Sequence, residues 1–157
     1  MGERARILVV DDDESIRKVL ATILKEEGFD VDTAKNGKQA IEKSKIRLYN
    51  VALIDIRLPD MDGTKLLTKI RDTTPKMRKI MVTGYPSLQN AIEALNKGAD
   101  AYIMKPFNVD MILKTIREQL RKQNEEREYC QEKVTEFIET RVKELEEEKT
   151  ITHKKPR

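Results

Sequence analysis

Six polar side chains of this sequence acquire a joint chemistry if they meet: Asp11, Asp12, Asp13, Asp55, Thr83 and Lys105. Each stands at the end of a short apolar run, residues 7–10 before the three aspartates, 51–54 before Asp55, 80–82 before Thr83 and 101–104 before Lys105. Together they make a cluster of carboxylates with one hydroxyl and one ammonium. Clustered carboxylates repel and raise one another's pKa, a strain that a hard divalent cation relieves. Magnesium suits the role, because it takes oxygen ligands, keeps several waters and bridges to phosphate. A carboxylate at the rim of such a site is equipped to attack a phosphoryl group, since that transfer is catalysed mainly by positioning and charge neutralisation. Lys105 would balance charge on the equatorial oxygens, Thr83 would donate a hydrogen bond, and the product would be an aspartyl phosphate on Asp55. Singly, each residue has a plainer reading: the acids cap a helix, Thr83 ends a strand, and Lys105 is a solvated charge. The joint pattern is what favours the site.

The elements around these residues follow from the apolar runs. The stretch Val51-Ala52-Leu53-Ile54 has no polar alternation, the mark of a strand buried on both faces. Asp55 then sits where that strand leaves the core, at the edge of a parallel sheet where ligands bind. Residues 7–10, 29–34, 79–83 and 101–104 read as four further strands, the second less apolar and nearer an edge. Between them run amphipathic helices: Ile16, Val19, Leu20, Ile23 and Leu24 mark the first, with Asp13 as N-cap and Gly28 as stop. Ala40, Ile41 and Ile46 mark the second, and Leu66, Leu67 and Ile70 the third. The fourth carries Leu88, Ala91, Ile92 and Leu95 behind a Ser87 cap, and Asn108 caps the last. Five strands alternating with five helices predict an α/β fold, a doubly wound five-stranded parallel sheet. The flavodoxin-like strand order 2-1-3-4-5 fits by analogy.

The segments Ile7-Leu8-Val9-Val10-Asp11-Asp12-Asp13, Asp55-Ile56-Arg57-Leu58-Pro59-Asp60-Met61-Asp62-Gly63, Val82-Thr83-Gly84 and Lys105-Pro106-Phe107 resemble, in residues and in spacing, the receiver domain of two-component response regulators. The resemblance covers about residues 6–120. It implies that Asp55 is the phosphoacceptor, that Asp12 and Asp55 ligate Mg²⁺ directly with Asp11 acting through water, and that the Arg57 carbonyl is the third protein ligand. It implies that Thr83 and Lys105 contact the phosphate, and that the Lys105–Pro106 peptide is cis. Tyr102 matches the family's switch aromatic, which turns inward when Thr83 moves toward the phosphate. Arg57 and Tyr85 depart from the commonest patterns, and their bulk is expected to shield the acyl phosphate from water. The implied protein is a phosphoacceptor that catalyses its own phosphorylation and dephosphorylation rather than an enzyme acting on other substrates.

Residues 1–122 are assigned to this domain and 123–157 to a helical extension rich in Glu, Lys and Arg. No apolar stripe runs through residues 121–128, but one resumes as Cys130, Val134, Phe137, Ile138, Val142 and Leu145. With no Gly or Pro before Pro156, one helix from Asn108 through Glu148 is expected, about 60 Å long at 1.5 Å per residue. An amphipathic stripe needs a partner. A short parallel coiled coil in a homodimer is the leading reading, with Cys130 on its seam; a fraying helix, or one that folds on another protein, competes. Glu118–Lys122 and Glu139–Lys143 are favourable pairs at i,i+4. The last five residues, His153 onward, are expected to be disordered.

Other classes fit less well. With 31 basic and 28 acidic side chains the net charge of +3 gives no case for direct nucleic-acid binding. Cys130 is the only cysteine, so no intrachain disulfide forms, and a reducing compartment is the simplest fit. The start of the chain reads as neither a signal peptide nor a membrane span, and Arg6 stands where a myristoylation signal on Gly2 wants Ser or Thr. A cytoplasmic protein is expected. His153, the single histidine, offers no phosphohistidine site, so the phosphoryl donor must be a sensor histidine kinase or phosphotransfer protein, and the output goes to a downstream protein not specified by sequence. An aspartyl-phosphate phosphatase of the haloacid-dehalogenase type wants an acid two positions after its nucleophile, where this chain has Arg57. A phosphate-independent scaffold is disfavoured by the complete acidic cluster.

Overall fold

The computed structural model describes residues 4–71, 73, 75–84 and 87–153. Five strands, β1 (Arg6–Val10), β2 (Asp30–Ala34), β3 (Val51–Ile54), β4 (Arg78–Thr83) and β5 (Ala101–Met104), alternate with five helices. These are α1 (Glu14–Glu26), α2 (Gly37–Ile46), α3 (Gly63–Lys69), α4 (Leu88–Asn96) and α5 (Val109–His153). The sheet is parallel throughout, in the order β2-β1-β3-β4-β5. The doubly wound architecture and its strand order are those expected, and β2 stands at an edge.

Period-two alternation along the strands divides the core into two leaves. Leu8, Val10, Ala52, Ile54 and Met81 point to one face, where they meet Ala40 of α2, Leu66 and Leu67 of α3 and Ala94 of α4. Ile7, Val9, Val51, Leu53, Ile80, Val82 and Ile103 point to the other, against Leu20 and Leu24 of α1 and Ile112, Leu113 and Ile116 of α5. β3 is buried at all four positions, which is why its sequence shows no polar alternation. β3 ends at Ile54, so Asp55 stands just past the ladder rather than inside the strand.

Local signals end the helices as their sequences suggest. The Asp13 carboxylate accepts from the amides of Ser15 and Ile16, Asn36 from Gln39, and Ser87 from Asn90. Gly28 and Gly98 follow the C-caps of α1 and α4 at φ +93° and +105°. In each, two amides return to the last-turn carbonyls, Phe29 to Leu24 and Gly28 to Lys25 in the first, a closure that needs a left-handed residue. Not every apolar stripe faces inward. In α4 the burial falls on Ala94, while Leu88, Ile92 and Leu95 lie open to solvent, as does Ile46 of α2.

At the amino ends of the strands a polar clamp closes the sheet. Asn50 accepts from the Arg6 amide at 2.9 Å and donates to Gln123 of α5 at 3.1 Å. The Gln123 amide donates to the carbonyls of Asn50 and Lys76 at 3.0 and 2.9 Å, and its side chain is buried. Gln123→Ala is expected to remove three hydrogen bonds, leaving the Lys76 carbonyl and the Asn50 side-chain amide short of a partner while the Asn50 carbonyl keeps the Arg78 amide. The cost is roughly 2 kcal/mol, to be read from urea unfolding; unchanged stability would contradict the clamp.

The chain forms two compact units, Met1–Gln123 and Asn124–Arg157. In the second, the helix continues to His153 instead of stopping at Glu148, in keeping with the lack of any breaker before Pro156. Residues 154–157, where disorder is also expected, lie outside the described residues. Its apolar residues Val134, Phe137, Ile138, Val142 and Leu145 are exposed, as is Cys130. Glu118 and Lys122, in the first unit, pair at 3.8 Å. Among the described residues no helix is long and apolar enough to cross a membrane.

Candidate functional site

Register alone carries the chemistry-bearing residues to one edge. Val10 of β1 pairs with Ile54 of β3, and the Asp55 amide donates to the Val10 carbonyl at 3.0 Å, so Asp11 and Asp55 leave neighbouring strands at one level. Ile54 pairs with Met81, two residues before Thr83, and Thr83 pairs with Met104. The Lys105 amide then donates to the Thr83 carbonyl at 2.7 Å. Asp11, Asp55 and Thr83 are buried, Lys105 is half-buried, and Asp12 and Arg57 are exposed. The Lys105–Pro106 peptide is cis.

The Lys105 ammonium bridges two carboxylates, reaching Asp11 Oδ2 at 2.8 Å and Asp55 Oδ2 at 3.0 Å. Asp11 Oδ1 accepts from the Asp13 amide at 2.9 Å, and Asp55 Oδ1 from the Arg57 amide at 3.2 Å. Burial pushes the Asp55 carboxyl above its ordinary value; Lys105 and the Arg57 amide pull it down, and the Asp11 charge adds to the rise. Burial works against the Lys105 charge, yet its bonds to Asp11 and Asp55 hold its pKa above the ordinary value. One oxygen from each of Asp11, Asp12 and Asp55 lies within 4.8 Å of the others. Such an all-oxygen, carboxylate-rich set is the donor chemistry of a hard divalent cation, so the residues present fit Mg²⁺.

These directions make a titration test. In the metal-free protein the Asp55 carboxyl, followed by carbon NMR, is expected to titrate above 3.8, the ordinary value. Its ionised form is therefore lost at a higher pH than for a solvated aspartate. Lys105→Met removes a charge that favours ionisation and should move the midpoint higher still; a downward move would contradict this electrostatic account.

Two further residues shape the site without having shown themselves in the sequence. Arg17, in α1, donates to the Asp11 carbonyl at 2.7 Å. The apolar stripe of α1 draws attention to the opposite face, but Arg17 follows the Asp13 cap by four residues, the spacing that returns a side chain toward the helix start. Asp60 belongs to the β3–α3 loop, in which Arg57 and Asp62 form an antiparallel bridge and the Gly63 amide donates to the Ile56 carbonyl at 2.6 Å. Its carboxylate accepts from the amides of Gly37 and Lys38, both at 2.9 Å. In the sequence it is one of several turn formers.

Tyr102 packs against the core leaf that carries α2, α3 and α4, with its hydroxyl enclosed. Tyr85, expected to shield the phosphate, lies outside the described residues.

The sequence matches the response regulator receiver domain over residues 7–117. It is 40% identical over 119 residues to the transcriptional regulatory protein ZraR of Klebsiella oxytoca, covering 76% of this chain but 27% of that protein. The chain thus spans about a quarter of the length of this curated relative. Among solved structures, a CheY-like response regulator receiver domain protein from Methanospirillum hungatei JF-1 superposes with a TM-score of 0.76 at 48% identity, over 79% of this chain and 99% of that one. The beryllofluoride-activated NtrC4 receiver domain dimer follows with 0.70 at 39% identity, over 75% and 98%.

Proposed function

Since the chain belongs to the response regulator receiver domain family of two-component systems, we propose that it accepts a phosphoryl group on Asp55 and relays that event by a change of shape. The bridging of Asp11 and Asp55 by Lys105, at 2.8 and 3.0 Å, is the observation that carries the reading. It supports the reading because a cation stands against the Asp55 carboxylate, where the transferred charge would arrive. In this reading Asp11, Asp12, Asp55 and the Arg57 carbonyl hold Mg²⁺. When bound, the ion supplies charge neutralisation for the phosphoryl oxygens. An Asp55 carboxylate oxygen bonds to phosphorus as the bond from phosphorus to the donor's leaving atom breaks. The leaving group departs with that electron pair, whether imidazole of a histidine kinase or phosphotransfer protein, or a small carboxylate. Lys105 turns from Asp55 to a phosphoryl oxygen, and the Thr83 hydroxyl donates to another. Tyr102 follows Thr83, and the altered face of α4 and β5 reaches a downstream protein.

Incubation with acetyl phosphate and Mg²⁺, followed by intact mass, tests the assignment. A single stable adduct is expected. Phosphate release without an adduct would indicate a phosphatase, and neither a phosphate-independent scaffold.

Arg57 is exposed beside the acceptor, and its bulk limits the approach of water to the acyl phosphate. Arg57→Asn should shorten the life of the adduct severalfold, measured by mass after removing the donor; an equal or longer life would refute the shield.

A further inference from the structure

The loop that carries Arg57 is tied down at a point remote from the reacting atoms. Its neck is closed by the Arg57–Asp62 bridge and by the Gly63 amide on the Ile56 carbonyl. Beyond the neck, Asp60 accepts from two successive amides, Gly37 and Lys38, in the first turn of α2. Those amides have no partner within a helix, so an acceptor from elsewhere in the chain satisfies them, and the helix dipole favours its negative charge. Beside it, Met61 fills the space that a Cβ on Gly37 would occupy, with Sδ 2.5 Å from that position. A contact spanning 23 residues thus fixes the loop to a different helix.

We propose that Asp60 is a positioning residue for the cation site, holding the loop so that the Arg57 carbonyl and Asp55 stand ready for Mg²⁺ before it arrives. Residues that orient a metal ligand through hydrogen bonds commonly change affinity by about 10–100-fold when removed. The advantage is entropic: a six-residue loop, 57–62, held by one more anchor has less freedom to lose on binding. Burial acts against the ionised Asp60, but the amides of Gly37 and Lys38 outweigh it and keep the carboxyl below its ordinary value. It therefore remains an acceptor at neutral pH. Coupling runs both ways, so filling the cation site must also tighten the first turn of α2. The inference rests on the reading of Asp55 and Arg57 given under Proposed function.

The test uses the full chain and Mg²⁺ alone as ligand. Asp60→Ala is expected to weaken Mg²⁺ binding, measured by calorimetry, about tenfold. Asp60→Asn, whose single amide oxygen can serve one of the two donors, should fall between it and wild type. Asn36→Ala is the control: it removes the side-chain cap of the same helix, which accepts from the Gln39 amide at 2.8 Å, without touching the loop. It should lower the unfolding midpoint yet leave Mg²⁺ affinity unchanged. Hydrogen exchange of the Gly37 and Lys38 amides should slow on adding Mg²⁺ to wild type and be insensitive to it in Asp60→Ala. Equal Mg²⁺ affinities for wild type and Asp60→Ala, or equal weakening by Asn36→Ala, would overturn the proposal. If those results came with an acetyl phosphate adduct that Asp55→Asn abolishes, Asp55 would keep its role and only Asp60 would lose its own. If wild type neither bound Mg²⁺ nor formed an adduct, both readings would fall.

Discussion

Asp55→Asn is expected to form no phosphoryl adduct with acetyl phosphate and Mg²⁺, at a rate below about one-thousandth of wild type. An amide oxygen has the shape of the carboxylate but neither its charge nor its nucleophilicity, and the substitution also removes one of three clustered carboxylates. The fold should tolerate it. The oxygen of the substituted amide can still accept from the Arg57 amide, which stands 3.2 Å from the present carboxylate oxygen, and Lys105 keeps Asp11 at 2.8 Å. Burial raises the Asp55 pKa, so folding disfavours its charged form, and at pH values above that raised pKa the ionised side chain subtracts from stability. A neutral amide removes that penalty while forfeiting the ion pair with Lys105. Thermal unfolding at neutral pH should therefore show a midpoint equal to wild type or higher. Persistence of the adduct would leave the chemistry with some other residue.

Gly63→Ala is expected to damage both stability and function. A Cβ at this position would overlap the Asp55 carbonyl oxygen and stand 2.9 Å from Ile56 Cα. Both obstacles are backbone at the end of a buried strand, so no side chain can swing aside. Relief requires the loop to move away from β3, at the expense of the Gly63-to-Ile56 hydrogen bond. Overpacking of this kind falls at the upper end of its usual range, about 3 kcal/mol. Urea unfolding should show the loss. Because the displaced backbone is that of Asp55, adduct formation should also slow in the fraction that stays folded. Wild-type stability would mean that the loop does not approach the strand as closely as described.

Much of this architecture was legible in the residues. The uninterrupted run at 51–54 announced a strand covered on both sides, and the two-leaf core is the reason. Asp11, Thr83 and Lys105 could be placed at strand ends because each apolar run stops at a polar residue. That Lys105 touches both Asp11 and Asp55 depends on register across three strand pairs, which local sequence does not encode. Contacts made by isolated polar side chains over long separations were invisible for a related reason. Asp60 on α2 and Gln123 on Asn50, 73 residues away, leave no periodic trace. The stripe of α4 misled in a different way. Leu88, Ile92 and Leu95 have helical spacing, but the small Ala94 is what lies against the sheet. Periodicity reports amphipathicity without saying which surface receives the apolar side.

The two leaves of the core have a further implication. Met81 and Tyr102 belong to the leaf with α2, α3 and α4, and alternation along β4 puts Thr83 on the side of Met81, whereas Val82 and Ile103 belong to the leaf with α1 and α5. The sheet therefore behaves like the stiff ply of a laminate, with a compliant layer bonded to each surface. In the proposed switch, a rearrangement around Thr83 and Tyr102 would fall within one layer, and the packing of the other would hold the sheet to shape. Substitutions in the two layers should then act as separate mechanical components: those against α1 and α5 set how firmly the plate is held, and those against α2–α4 set how far it lets its partner layer slide.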